Sequence, residues 1–452
     1  MAKISIPNSE KIFNNIEDLI NEQPTENFNK RKKGLKLKTF LIAFTLKLCM
    51  MTNVTLEGLA NQCVGLQYGL SIQKQALSNR LEQGSKELRI LLAGTTKALL
   101  KNKAGVLMTA TILGQFDNVY IIDSTTLSLP NKLKKYHKGL GGSNAESALK
   151  IQAAYEVKSK DFKKIEIVDN ATESDNPYML EFVCELKPND LVVADLGYYS
   201  AGNFLAIAGK GAYFISRIKS NVNLYRTETT KLDLYKLLKG KTEIDEMIVI
   251  KGINGKSMSV RLVGLRLDEK SYASCIRKAR KEAKSKGKTL SKEELELLKW
   301  VIYITNAERD ILDIRAICEI YRIRWQIELI FKSWKSHFKL DKMNDVGKHY
   351  LDCLIYGKLV VITMMTSLYS LLFHQVYRVA GRQLSFLRFM KNVCEELDTI
   401  IKYFYGDDAK SQLIQTIDRV INSSLVEKRR RKTTEQSIAS IDLPQEVLEM
   451  LL

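Results

Sequence analysis

LVVAD, Leu191 to Asp195, sets four apolar residues ahead of a lone aspartate, and VYIID, Val119 to Asp123, has the same order. Apolar runs this short, bounded by polar turns, read as buried strands. Working outward, KIQAAYEV from Lys150, FKKIEIV from Phe162 and AYFISRI from Ala212 supply three more, with helical segments around Asn176 to Leu186 and Ala201 to Ala208 between the later strands. That alternation implies an α/β fold, a mixed sheet of five strands with flanking helices. Ligands of open α/β sheets bind at the carboxyl ends of the strands, where Asp123 and Asp195 fall. A bare carboxylate there is costly to desolvate unless a metal ion or a basic side chain meets it.

The sheet pattern stops after Lys219 and resumes at WVIYITN, Trp300 to Asn306. Between them, EMIVIKG and SMSVRLVGLRL flank Asn254-Gly255, a strong hairpin signal, and a Lys-rich helical stretch follows (IRKARKEAKSKGK, then SKEELELL). The segment is expected to be a largely β insertion subdomain. A long helix is expected from about Asp313 to Phe338. Both ends of the chain read as all-helical, with a basic patch at Lys428 to Lys432 near the C-terminus. In the N-terminal region, helices starting at Thr55 and near Ser71 resemble a helix-turn-helix reader carrying Gln73, Lys74, Gln75, Ser78, Asn79 and Arg80. A plain helical bundle accounts for the same pattern. The expected organisation is 1–113 as a helical DNA-binding region, 114–220 and 300–345 as two parts of a core, 221–299 as the insertion, and 346–452 as a helical C-terminal region.

The 452 residues carry 70 Lys+Arg against 51 Asp+Glu, a net charge of +19. A polyanion is the expected partner, because cations docked on phosphates release condensed counterions. The cluster Lys30, Arg31, Lys32, Lys33, Lys36 and Lys38 could grip phosphates or simply be solvated. With 45% hydrophobic residues the chain can bury real cores, so it is not a disordered basic tail. Seven scattered cysteines without a CxxC pair suit neither a disulfide framework nor structural zinc, and four dispersed histidines suggest no site of their own. The N-terminus lacks the order of a secretory signal, and the longest apolar stretch, Leu359 to Phe373, is shorter than a membrane helix needs. A cytoplasmic, nucleoid-associated protein with no membrane is expected. The Gly-rich run KGLGGSNAES lacks the Lys-Ser/Thr of a P-loop and reads as a loop after the first Asp-bearing strand.

YRIRWQIELIFKSWK carries Tyr321, Arg324, Glu328 and Lys335, which on one continuous helix fall in a stripe roughly 60° wide, with Trp325 and Lys332 beside it. A solvated ladder pairing Glu328 with Arg324 and Lys332 would give the same spacing. The four residues match without a gap the YREK signature of the insertion-sequence-four family of DDE transposases, whose catalytic core is RNase H-like. DSTT from Asp123 resembles that family's first catalytic aspartate motif, and DLGYYS from Asp195 resembles the second. Arg217 in YFISRIKSN resembles the basic residue that follows, and a β-rich insertion ahead of the glutamate is also a family trait.

The resemblance implies an α/β, RNase H-like core in which Asp123, Asp195 and Glu328 are catalytic and bind two Mg²⁺ or Mn²⁺ ions. Three carboxylates are hard oxygen donors suited to those ions, and in-line phosphoryl transfer needs charge stabilised on both the entering and the leaving oxygens. It further implies that Tyr321, Arg324, Lys332, Lys335 and Arg217 hold DNA phosphates. Trp300 is positioned as the tryptophan that holds an extruded base in hairpin-forming relatives, against the plain alternative of a core residue, and Trp325 is grouped with the DNA-binding set. The implied activity is cut-and-paste transposition, with element terminal inverted repeats and target DNA as double-stranded partners and a homodimer in the DNA complex. Competing readings are a catalytically inactive, transposase-derived DNA-binding regulator and an RNase H-like nuclease without strand transfer; a general RNA-binding protein lacks the motifs for it.

Overall fold

The computed structural model describes residues 34–426 apart from 52–53, 100–110, 142–145, 219–221, 253–254, 286, 343–345 and 405–409, and also Asp18, Asn21 and Phe28. Asn254, Gly142, the run Lys30 to Lys33 and the patch Lys428 to Lys432 therefore lie outside the described residues.

Eight strands form one mixed sheet: β1 (Val119–Ser128), β2 (Ala148–Glu156), β3 (Asp161–Val168), β4 (Leu191–Ala194), β5 (Tyr213–Arg217), β6 (Glu243–Lys251), β7 (Ser257–Arg266) and β8 (Trp300–Thr305). Their order is β3-β2-β1-β4-β5-β8-β7-β6. The first five strands lie close to the expected positions, with helices Asn176–Cys184 and Ala201–Gly209 as crossovers. The mixed α/β sheet is as expected, with eight strands in place of the five. The hairpin β6–β7 pairs antiparallel to β8, and β8 pairs antiparallel to β5, so the inserted strands continue the core sheet. The physical reason is the edge of β5, whose unpaired peptide groups a further strand satisfies. Arg261 on β7 pins this extension: its guanidinium donates to both Asp245 carboxylate oxygens, at 3.0 and 2.7 Å, and to the carbonyls of Ala307 and Leu312. Burial alone would raise the Asp245 carboxyl, but the hydrogen bonds and charge of Arg261, with Arg309 beside it, hold it below the usual carboxylate range.

The described residues divide into two compact units: those within 34–107, 123–173 and 325–426 form one, while those within 111–122 and 174–324 form the other. These divisions fall elsewhere than the segment boundaries expected from sequence, and two of them fall inside β1 and inside the YREK motif.

The first unit is built on the 33-residue helix Lys348–Ala380, buried along most of its length. It meets the length and composition of a membrane span, yet 89% of its most apolar stretch is buried inside the fold, as expected of a core helix. Against it lie the helix Leu81–Leu99 and the π-helical turn Ala43–Lys47. Earlier in the chain, Thr55 caps the helix Leu56–Leu66 by accepting from the Gly58 N–H at 3.0 Å. The second helix of the expected helix-turn-helix begins at Lys74, not near Ser71, and runs for five residues, Lys74–Ser78. Gln73 precedes it without a side-chain cap, and Arg80 turns back to donate to the Phe28 carbonyl.

The turn between β2 and β3 is buried against the long helix and brings titratable groups with it. Ser367 donates to Asp161, Ser370 donates to the Ser159 carbonyl, and the Lys160 ammonium lies 4.4 Å from the centre of the Phe373 ring. Burial pushes the Asp161 carboxyl up to about 7, against hydrogen bonds from Ser367 and the Phe162 N–H and with the Glu156 charge adding to the rise. Burial pushes the His374 imidazole down to about 4, with the Lys160 charge helping. Asp161 therefore removes stability as pH rises from its unfolded value of 3.8 to about 7, because only the folded chain keeps the proton. His374 removes stability as pH falls from 6.5 to about 4, because only the unfolded chain takes the proton. The two slopes oppose each other, each worth about 2–4 kcal/mol. Asp161→Asn should unmask a melting temperature that climbs between pH 4 and 6.5, and His374→Phe one that falls from pH 4 to 7. Thermal melts across pH in which both variants keep the wild-type profile would dismiss this account.

Candidate active site

The register of β1 on β4 organises the site. Ile122 pairs in parallel with Ala194, and the residues that follow are Asp123 and Asp195. Asp195 thus follows the carboxyl end of its parallel strand, where ligands of open α/β sheets bind. β1 runs on to Ser128, so Asp123 lies mid-strand and not at its end, although its pairing with β4 stops at Ile122.

In the second unit, Asp195 follows β4 with its side chain 37% exposed. The Tyr321 hydroxyl donates to its Oδ1 at 3.2 Å, and Arg324 Nε stands 3.7 Å from the same oxygen. Tyr321 reaches this position from the end of the helix Ile314–Arg322, which starts where Asp313 caps the Ala316 N–H. Its ring packs on Tyr303 at 4.7 Å between centroids, and Tyr303 is paired in register with Arg217. Burial pushes the Tyr321 hydroxyl well above the ordinary tyrosine range; the Asp195 carboxylate adds to this, while Arg324 and Arg217 oppose it. Burial likewise pushes Tyr303 up to about 12. Tyr321 is consequently a permanent donor to the carboxylate.

Tyr321→Phe removes that donor while keeping the ring contact. DNA cleavage should fall about tenfold, the worth of one hydrogen bond to a charged group, with thermal stability changed by less than about 1 kcal/mol. An unchanged cleavage rate would show that the hydroxyl does not orient Asp195.

The expected single helix is corrected as well. It breaks into Ile314–Arg322 and Trp325–Ser336. At the break, Ile323 and Arg324 donate to the carbonyls of Ile320 and Tyr321, so the ladder tightens to bonds of three residues. Tyr321 and Arg324 turn toward Asp195. Glu328, Lys332 and Lys335 share a face of the second helix, whose opposite face buries Ile327, Ile330, Phe331 and Trp334. Glu328 and Lys335 are half-buried, Lys332 is exposed, and Trp325 is 57% exposed.

In the first unit, Asp123 Oδ1 accepts the Ser124 N–H at 2.8 Å, and Lys335 Nζ donates to the Thr126 carbonyl at 3.3 Å, one strand alternation beyond the Ser124 peptide. Lys335 and Tyr321, both expected on DNA phosphates, are thus hydrogen-bonded within the protein here. Trp300 does not join the Asp195 cluster: strand alternation puts it on the face of β8 opposite Tyr303. It is buried and lines a cavity of about 210 Å³ with Tyr235, Lys239, Lys241, Arg266 and Glu296. Tyr303 was missed in the sequence, where only its alternation with Trp300 along WVIYIT could have marked it.

Among the described residues no group of three His, Cys, Asp or Glu side chains stands ready to hold a metal ion. The donor chemistry nevertheless suits one, since carboxylate oxygens are hard ligands and Asp195 remains open to solvent.

The family described as Transposase DDE domain matches residues 114–364. A transposase for insertion sequence element IS1151 of Clostridium perfringens is 27% identical over 413 residues, 86% of each chain. Transposases of Bacillus thuringiensis are similar too: that of IS231D (subsp. finitimus) is 32% identical over 56% of each chain, and that of IS231B (subsp. berliner) 30% over 66%. A solved structure described as a piggyBac transposase synaptic complex with hairpin DNA aligns with 96% of this chain and 86% of its own, at a TM-score of 0.46 and 10% identity. The chain belongs to the transposase DDE domain family. It is a DDE transposase, an enzyme acting on DNA in a family that generally uses divalent metal ions, in agreement with its insertion-sequence-four motifs.

Proposed function

We propose that this transposase moves an insertion sequence by cut-and-paste, cutting at the terminal inverted repeats and joining the freed 3′-hydroxyl to target DNA. The observation that carries the reading is Asp195 at the end of a parallel strand, held by Tyr321 and Arg324 of the YREK motif. Asp123, Asp195 and Glu328 are the catalytic carboxylates and the ligands of two Mg²⁺ or Mn²⁺ ions. Bound there, the ions would stabilise charge on the entering and leaving oxygens of the displacement.

The chain's own residues do the positioning. Tyr321 fixes Asp195 through its neutral hydroxyl, and Arg324, Arg217, Lys332 and Lys335 offer cations to the phosphates of the element's end. Trp300 and Arg266 wall a cavity with room for an extruded base, and the exposed Trp325 ring gives a second stacking surface. A hairpin at the excised end is the release route implied by the family resemblance. The active species is a homodimer on paired ends, the helical C-terminal region forming its interface.

The test is a labelled duplex carrying the element's own terminal repeat, incubated with the protein and Mg²⁺. Cutting at the repeat boundary followed by joining to target DNA is expected. Binding without cutting, with Mn²⁺ and paired ends as well, would overturn the proposal in favour of a DNA-binding regulator; cutting without joining would favour a nuclease.

A further inference from the structure

The helix Glu269–Ser285 of the inserted segment has no buried residue. At about 100° per residue, Lys270, Arg277, Lys281 and Lys284 fall in a stripe roughly 60° wide. All four are exposed. Tyr272, Cys275, Ile276, Ala279 and Ala283 make the opposite face, each partly covered, and the Lys299 ammonium stands 5.7 Å from the centre of the Tyr272 ring. The helix is therefore seated by its apolar side and directs its cations outward.

A face made only for solubility interleaves opposite charges three and four residues apart. Here no acidic residue stands at those spacings from any of the four stripe cations, while Arg277 and Lys281, Lys281 and Lys284, and Arg280 and Lys284 set like charges there. Such pairs each destabilise a helix by a few tenths of a kcal/mol, a penalty that a polyanion would reverse. Lys270 to Lys284 spans about 21 Å of helix, enough to follow a duplex backbone past several phosphates.

We propose that this helix is a docking arm for duplex DNA that grips phosphates along one face without reading sequence. The choice of DNA as the polyanion rests on the transposase reading. The stripe is made of cations alone, which all find the same partner in the phosphates of any duplex, so the arm strengthens binding to terminal-repeat and unrelated duplexes alike.

The test is metal-free fluorescence anisotropy of the full chain on a random-sequence duplex and on a duplex carrying the element's terminal repeat, each titrated with salt. In the combined variant Arg277→Gln, Lys281→Gln and Lys284→Gln, the slope of log affinity against log salt should drop by about two to three on both duplexes, at close to 0.9 per lost phosphate contact. Lys278→Gln, off the stripe, should leave the slope unchanged. All these side chains are exposed, so circular dichroism and melting should stay as in the wild type. An unchanged slope in the combined variant, a drop on the repeat duplex alone, or an equal effect of Lys278→Gln and Lys281→Gln would overturn the proposal. Because no cutting is read, a chain that shows the slope change yet never cleaves DNA would sink the catalytic reading and leave the arm standing.

Discussion

Glu328→Gln should bind the element's terminal repeat as the wild type does and cut it at least about 10³-fold more slowly, the scale on which removal of one member of a catalytic set is felt. The substitution keeps the shape and reach of the side chain, removes its negative charge and replaces one acceptor oxygen with an NH₂ donor. Glu328 is half-buried on a helix whose other face holds Ile327, Ile330, Phe331 and Trp334 in the core, so the amide should be tolerated without loss of fold. Asp123→Asn and Asp195→Asn should be equally inactive, and double variants should lose little more than single ones, because the carboxylates act as a unit. The measurement is cleavage of the labelled repeat duplex alongside a binding titration of the same duplex. Glu328→Gln retaining more than a tenth of wild-type cutting would remove the residue from the triad. Loss of binding in step with cutting would make it a DNA contact.

Gly357→Ala should destabilise the first unit by about 3 kcal/mol or more, through backbone collision. A Cβ at Gly357 would lie 1.7 Å from the Phe44 carbonyl oxygen and 2.8 Å from its carbon. Those atoms belong to the backbone of the π-helical turn Ala43–Lys47, so no rotamer change relieves the clash and the two segments would have to separate. Separation would open the packing of Phe44, whose ring stands edge-on to Tyr350 at 6.3 Å and stacked on Phe40 at 4.3 Å. The melting temperature is expected to fall by roughly 6–12 °C. Gly65→Ala, at an exposed position of the helix Leu56–Leu66 where an added Cβ meets nothing within 4 Å, should instead hold or slightly raise it. If the Gly357 variant melted with the wild type, the close crossing of the two segments would be refuted.

Local pattern carried a large part of this protein. The strands around Asp123 and Asp195, their crossover helices and the helix start at Thr55 were all legible. Each depends on hydrophobic period or on a side chain meeting a backbone N–H a few residues away, and both are written in consecutive residues. Asp195 was likewise visible as chemistry, since a carboxylate after an apolar strand asks for a cationic partner, whereas Glu328 among its cations differed from a solvated ladder only by the motif match.

Only the tertiary structure decided how those pieces are used. Helical periodicity runs unbroken through YRIRWQIELIFKSWK, so nothing local announced the tightened turn at Ile323 and Arg324 that sends Tyr321 and Arg324 to Asp195. The inserted strands joined the core sheet because β5 offered an open edge, and edge pairing is chosen by partners far apart in the chain. Tyr303 acquired a place beside Tyr321 in the same way, through register with Arg217. Sequence by itself determined which residues could form strands, helices and a phosphate-handling site; long-range pairing determined which of them meet, because the energy of a contact between distant residues appears only once both elements are built.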